Sequence, residues 1–278
     1  MTVENLLVYA QSKIHKDHAR ILLANLLNLN PLEIFLHLND EVEKEKQDIY
    51  IKEVEALKNN KPLQYVLGYT NFYGNKLIVN ENVLIPRFET EELVENTLKY
   101  IDKYFNQSLD IIDLGCGSGA IGLTLKQNIT KIKTNITLLD ISEEALKVAK
   151  ENAKNLNLDV NFIKNDMLEN RKEKYDIVIS NPPYISEEEE IEPIVRENEP
   201  HLALYAKEKG LYFYRKILSN ISKNLKNQFL IAFEIGCTQK EEIIKIANTY
   251  LNNIQIICQK DLQNRDRMLF IISNSLIK

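Results

Sequence analysis

The sequence predicts an α/β fold: a seven-stranded sheet with helices on both faces, parallel except for a reversed last strand. A small helical domain and a β-hairpin linker precede it. Three observations carry this reading. From Leu109 onward, short apolar runs alternate with amphipathic helical patterns, the mark of a parallel sheet covered on both sides. The last two runs lie too close for a crossover helix, so they must pair antiparallel. The first sixty residues show only helical spacing. The expected division is 1–60 helical, 61–86 hairpin linker and 87–278 sheet domain.

Leu6, Leu7 and Ala10 open the helical part. Ala19, Leu22, Leu23, Leu26 and Leu27 form a second stripe, with Asp17 as a candidate N-cap. Pro31 can start a third helix through Phe35. Residues 41–58 place Val42, Ile49, Val54 and Leu57 among many charges, as on a half-exposed helix. From Pro62 the texture changes: PLQYVLGYTNFYG and the alternating KLIVNENVLIP read as a hairpin. Thr90 can cap a helix from Glu91 to about Tyr104. The strand candidates are Leu109–Leu114, Ile136–Leu139, Val160–Ile163, Tyr175–Ile179, Phe229–Ile235, Ile254–Cys258 and Met268–Ile272. Helical patterns at Ala120–Lys126, Glu143–Leu156, Leu211–Leu225 and Lys240–Tyr250 separate most of them.

Composition excludes several classes. With 44% apolar and 27% charged residues among 278, the chain can bury a core and is not disordered. A net charge of -5 argues against a general basic field for nucleic acid. Cys116, Cys237 and Cys258 are far apart, with no CxxC pair, so neither a disulfide framework nor a zinc knuckle is indicated. No signal-peptide pattern and no long apolar run occur. The expectation is a reduced, cytoplasmic, soluble protein.

Three of the eight glycines fall in Gly115-Cys116-Gly117-Ser118-Gly119, between the first sheet strand and a helix. Glycine there lets the backbone turn sharply and approach a ligand. No Lys-Ser or Lys-Thr follows, so this is not a Walker A loop. Asp113, two residues before Gly115, would repel a pyrophosphate and suit an ammonium. Asp140 closes the second strand, the usual place for a carboxylate that accepts two ribose hydroxyls. Asp166 closes the third and can accept from an adenine amino group, with Met167 packed on the ring. S-adenosylmethionine, which carries an ammonium and no phosphate, fits these groups better than a nicotinamide dinucleotide.

The fourth strand runs into Asn181-Pro182-Pro183-Tyr184. Prolines stiffen this loop while their carbonyls remain acceptors. With the Asn181 side-chain oxygen they can take both protons of a planar NH₂ group. Tyr184 offers a face for stacking. The chemistry indicated is methyl transfer to a planar nitrogen, with Asn181, Pro182 and Tyr184 catalytic and Asn181 to Tyr184 binding the substrate. It calls for no metal and no covalent intermediate. His15, His18 and His37 lie in the helical region, and His201 reads as structural.

These residues resemble class I adenosylmethionine-dependent methyltransferases with their Rossmann-like sheet. More narrowly, the chain resembles the protein-(glutamine-N5) methyltransferases that modify bacterial peptide chain release factors. PLQYVLGYTNFYG, VLIPRFETEELVE, DLGCGSGAIG, SNPPYI, ENEPHLAL and KDLQNRDRMLF carry the likeness, in the family's order and along essentially the whole chain. The resemblance places the cofactor loop on Gly115 to Gly119, the ribose carboxylate on Asp140, the adenine-side residue on Met167 and the glutamine-binding motif on Asn181 to Tyr184. Met167 stands where the family often has an aromatic, and Phe88 where it usually has proline. The implied substrate is the glutamine of a Gly-Gly-Gln loop in release factors, with the helical N-terminal domain helping to bind that protein.

A nucleic-acid base methyltransferase is the main alternative, because NPPY is shared with adenine-N6 and guanine-N2 enzymes. The run Ser186-Glu187-Glu188-Glu189-Glu190-Ile191-Glu192 weighs against it, since carboxylates beside the site repel phosphates. The intact NPPY weighs against a non-catalytic cofactor-binding module. No direct nucleic-acid binding, no membrane association and a monomeric state are expected.

Overall fold

The computed structural model describes residues 1–277. The chain forms two compact units, Met1–Tyr69 with Ile191–Asn198, and Thr70–Glu190 with the segment from Glu199 onward.

The first unit is helical: Val3–Gln11, Lys16–Leu27, Lys44–Lys58, Leu63–Leu67 and the returning Pro193–Asn198, with a single 3₁₀ turn at Glu33–Leu36. Its core gathers Leu6, Leu7, Ala19, Leu22, Leu23, Ile34, Tyr50 and Val54. The second helix starts two residues earlier than an Asp17 cap requires. His15 is the N-cap, its Nδ1 accepting from the Asp17 backbone N–H at 3.3 Å, and Asp17 lies in the first turn. There its charge suits the helix dipole. The expected third helix after Pro31 is only the 3₁₀ turn. On Lys44–Lys58 the buried stripe is Gln47, Tyr50 and Val54, so Ile49 falls off it and is exposed. Tyr50 donates its hydroxyl to the Ala19 carbonyl at 2.9 Å. Residues 63–67, read as the start of a hairpin, are helical instead, opened by Pro62 and ended at Gly68. The returning segment is held by Asn198 Nδ2 donating to the Asn60 carbonyl at 2.9 Å.

The hairpin itself is shorter than its alternating sequence suggests: β1 is Tyr69–Phe72 and β2 is Asn75–Ile78. The sheet strands follow as β3 (Leu109–Leu114), β4 (Thr134–Asp140), β5 (Asn161–Lys164) and β6 (Tyr175–Ser180). Two short strands, β7 (Ile185–Ser186) and β8 (Tyr205–Ala206), pair in parallel apart from it. The sheet resumes with β9 (Leu225–Glu234), β10 (Ile254–Lys260) and β11 (Asp266–Ser273). Its order is β10-β11-β9-β6-β3-β4-β5. Parallel registers set Ile111 against Ile136, Ile112 against Val178, and Val178 against Ile231. The last strand, β11, is antiparallel to both β9 and β10, as the short final connection requires.

Alternate residues point to opposite faces. Ile111, Ile177, Leu230 and Phe270 share one core, and Ile112, Val178, Ile231 and Ile271 share the other. Both faces are therefore covered, which is why these strands read as continuous apolar runs. After β5 the chain crosses back to place β6 on the other side of β3. The crevice between β3 and β6 is thus a topological switch point, where open α/β sheets bind ligands.

Asn152, almost fully buried in the Glu143–Asn155 helix, ties the hairpin to this crevice. It accepts from the Ile78 N–H at 2.7 Å and donates to the Ile78 carbonyl at 3.0 Å and the Ser118 carbonyl at 2.9 Å. Asn152→Ala strands buried backbone groups, so we expect a loss of about 2–3 kcal/mol in urea unfolding. Unchanged stability would show that these bonds are replaced by water.

Candidate active site

A cavity of about 260 Å³ opens at the carboxyl ends of β3, β4, β5 and β6. Of the residues singled out in the sequence, Gly115, Gly117, Asp140, Asp166, Met167, Asn181 and Pro183 line it. Asp113, Cys116, Ser118, Gly119, Pro182 and Tyr184 are not on its wall.

The glycine loop turns through Gly117 at φ +53°, where a β-carbon would meet no atom within 4 Å. A side chain there would project into free space beside the cavity. Below the loop, Asp113 is completely buried. Its Oδ2 accepts from the Gly122 N–H at 2.9 Å, and its Oδ1 has no partner. Burial pushes its carboxyl up to about 7, the Gly122 N–H opposing and the nearby Asp140 assisting. Asp140 is also raised by burial, against N–H donors from Ser142 and Gly117. Those contacts are 2.8 Å to Oδ1 and 2.9 Å to Oδ2. Each oxygen keeps a lone pair for a further donor. Burial, with Asp113 and Asp140 close by, raises the Cys116 thiol far above its usual range, which leaves it protonated and inert.

After β5, Met167 adopts φ +48° and lines the cavity. Its Cε would lie 3.5 Å from a β-carbon on Gly115. Asp166 Oδ2 is bound by Lys216 Nζ at 2.5 Å. Lys216 also lines the cavity and was not foreseen. It comes from a helix fifty residues away, so no local pattern signals it.

Asn181 and Tyr184 converge on one buried carboxylate. Asn181 Nδ2 donates to Thr90 Oγ1 at 3.2 Å, and Thr90 Oγ1 donates to Glu234 Oε2 at 2.6 Å. The Tyr184 hydroxyl donates to Glu234 Oε1 at 3.2 Å. Thr90 is therefore not the helix cap expected from sequence. The helix begins at Phe88, and the buried Thr90 hydroxyl faces Glu234 instead of a backbone N–H. Burial raises Glu234, while the Thr90 bond and the Arg267 charge oppose. Tyr184 is pushed up by burial and by the Glu234 charge, so its hydroxyl keeps its proton. The Tyr184 carbonyl accepts from Gln239 Nε2 at 2.9 Å.

Glu234 was missed. Glu234 had a signal: a lone carboxylate ending the apolar run FLIAFEI, at the same end of the sheet as the aspartates. Other walls of the cavity come from Asn82, Val83 and Leu84 after the hairpin, and from Leu202, Ala203, Tyr212 and Phe213. Glu187 to Glu190 are exposed.

Comparison with known proteins places this geometry. Residues 90–203 match the methyltransferase small domain model, and residues 4–68 match the PrmC N-terminal domain model. A release factor glutamine methyltransferase of Bacillus cereus is 36% identical over 261 residues, covering 92% of each chain. One from Streptococcus pneumoniae is 40% identical over 250 residues, covering 89% of this chain and 88% of its own. A methyltransferase structure from Pyrococcus furiosus shares the fold, with a TM-score of 0.53 at 13% identity, over 84% of this chain and 99% of that one. Near-complete coverage by relatives at this identity, over a sheet whose cavity is lined by the glycine loop and Asn181, shows that the chain belongs to the release factor glutamine methyltransferase family.

Proposed function

We propose that this protein transfers a methyl group from S-adenosylmethionine to the side-chain amide nitrogen of the glutamine in the Gly-Gly-Gln motif of peptide chain release factors. The observation that carries the reading is Asn181 on the wall of a cavity built from the glycine loop, Asp140 and Met167. Residues 1–60 serve as the helical substrate-binding domain, 61–86 as the linker and 87–278 as the catalytic domain.

The residues fit the methyl donor. Asp113, buried below the loop with Oδ1 unpartnered, places a carboxylate whose charge suits an ammonium bound above it. The lone pairs left on Asp140 suit two ribose hydroxyls. Asp166 keeps Oδ1 for an adenine amino group, since Lys216 holds Oδ2. Met167 supplies an apolar face, and Gly115 to Gly119 let the backbone come close. When bound, S-adenosylmethionine supplies a sulfonium methyl whose C–S pair leaves on sulfur as the new C–N bond forms.

The chain's own residues do the rest. An amide nitrogen is a weak nucleophile because its lone pair is delocalised into the carbonyl. Asn181 Oδ1 and the Pro182 carbonyl accept its two N–H bonds, which pushes density onto nitrogen and stabilises the positive charge that develops. The Tyr184 ring holds the amide plane, orienting the nitrogen for in-line attack. After transfer, the nitrogen gives up one proton along an accepting bond, and water takes it.

Incubation with labelled methyl donor and either release factor or total RNA tests this reading. We expect label in the release factor; label in RNA alone would refute it. The exposed carboxylates Glu187 to Glu190 support a protein substrate over a phosphate backbone. Among the described residues no helix is long and apolar enough to cross a membrane. A cytoplasmic monomer that does not bind nucleic acid directly completes the reading.

Asp113 makes the cofactor step pH-dependent. An ammonium bound above the loop favours the ionised carboxylate, whose proton leaves only near pH 7 without ligand. Cofactor affinity should therefore rise as pH approaches about 7, falling up to about tenfold per unit below it. Calorimetry between pH 5.5 and 8.5 checks this, and Asp113→Asn should flatten the profile. Without ligand the same raised carboxyl stabilises the fold at low pH, a contribution lost as pH rises toward 7.

A further inference from the structure

Asn181 is useful to an amide substrate only if its oxygen, and not its nitrogen, faces the incoming NH₂. Its two ends are nearly identical in shape, so packing alone cannot choose between them. Hydrogen-bond direction can. An ionised carboxylate only accepts, and a threonine hydroxyl has one proton. Burial raises Glu234, with the Thr90 bond and then the Arg267 charge opposing, and its Oε2 accepts that proton from Thr90 Oγ1 at 2.6 Å. Thr90 Oγ1 then has only lone pairs to offer Asn181, and it accepts from Asn181 Nδ2 at 3.2 Å. A flipped Asn181 would set its oxygen against a proton-less oxygen and its N–H groups against those of the substrate. The other oxygen of Glu234 accepts from the Tyr184 hydroxyl at 3.2 Å, so one carboxylate sets both ends of the substrate loop.

We propose that Thr90 and Glu234 are positioning residues that lock the Asn181 amide with its oxygen toward the substrate, and so make the site select glutamine over glutamate. A glutamate side chain offers only acceptors to that oxygen and is repelled. An Asn181 free to flip would present N–H groups and accept it. This rests on the reading of Asn181 as the residue that holds the substrate amide.

The test uses the full-length protein with Thr90→Val, Thr90→Ser and Glu234→Gln. Valine keeps the shape of threonine without its hydroxyl. Glutamine at 234 can accept from one of the two hydroxyls but must turn N–H groups toward the other. Two quantities are read: kcat for methylation of release factor, and the binding preference for release factor over its variant with glutamate in place of the Gly-Gly-Gln glutamine. We expect Thr90→Val and Glu234→Gln to lose about tenfold to a hundredfold in kcat. Both should also shrink the preference for glutamine at least about tenfold, while Thr90→Ser keeps both within about threefold. The preference is a ratio within each variant, so partial misfolding does not mimic its loss. An undiminished preference in Thr90→Val and Glu234→Gln would overturn the proposal, even if kcat fell. If Asn181→Ala itself turned over normally, the underlying reading of Asn181 would fail instead.

Discussion

Replacing Asn181 with alanine is expected to lower kcat for methyl transfer by about 10²–10³-fold, the scale seen when a group acting on transition-state charge is lost. The side chain stands on the cavity wall after β6, at the switch point of the sheet. Its oxygen is the proposed acceptor that makes an amide nitrogen nucleophilic. Alanine leaves the Pro182 carbonyl and the Tyr184 face, so the amide can still enter the site. It loses the acceptor whose benefit grows as charge develops. Cofactor affinity should change only a few-fold, because Asp140, Asp113 and the glycine loop remain. Steady-state kinetics with a binding isotherm separate the two effects. Near-normal turnover would refute the role of Asn181.

Gly210→Ala is expected to damage both the fold and the reaction. Gly210 has φ +85°, where an L-residue costs about 1–2 kcal/mol. Its β-carbon would also lie 2.1 Å from the Tyr184 carbonyl oxygen and 2.3 Å from Gln239 Nε2. The glutamine side chain can move, but the carbonyl is backbone of the Asn181–Tyr184 loop. The two partners are themselves bonded at 2.9 Å, so the added methyl pushes on an existing contact. We expect a total loss of about 2–4 kcal/mol in urea unfolding. In the fraction that remains folded, kcat should fall at least about tenfold as Tyr184 is displaced. A variant with unchanged stability and turnover would mean that the loop does not depend on this close approach.

Much of the sheet was legible because its chemistry is local. A parallel strand buried on both faces is mostly apolar, and Tyr175–Ser180 is buried at every residue, with Asp176 and Ser180 as its hydrogen-bonded polar exceptions. The reversed last strand followed from the short connection between Lys260 and Asp266. The cavity wall was legible where its residues follow strand ends, as with Gly117, Asp140 and Asn181. Element starts were less so. Helix Phe88–Tyr104 begins before Thr90 because that hydroxyl is drawn to Glu234, a partner 144 residues away. Lys216 and Asp166 meet across fifty residues. Tertiary hydrogen bonds of this kind leave no spacing to read. Leu63–Leu67 was misread for another reason: Tyr65 and Val66 favour strands, but Pro62 and Gly68 bound a turn of helix around them.

In the proposed reaction an amide nitrogen, held by Asn181 and its loop, accepts the methyl group. Fragmentation mass spectrometry of release factor after reaction with isotopically labelled methyl donor tests it most directly. The expected result is a single labelled methyl on the side-chain nitrogen of the Gly-Gly-Gln glutamine, formed about 10²–10³-fold more slowly by Asn181→Ala. A methyl on another release-factor residue, or on RNA bases with none on that glutamine, would contradict it.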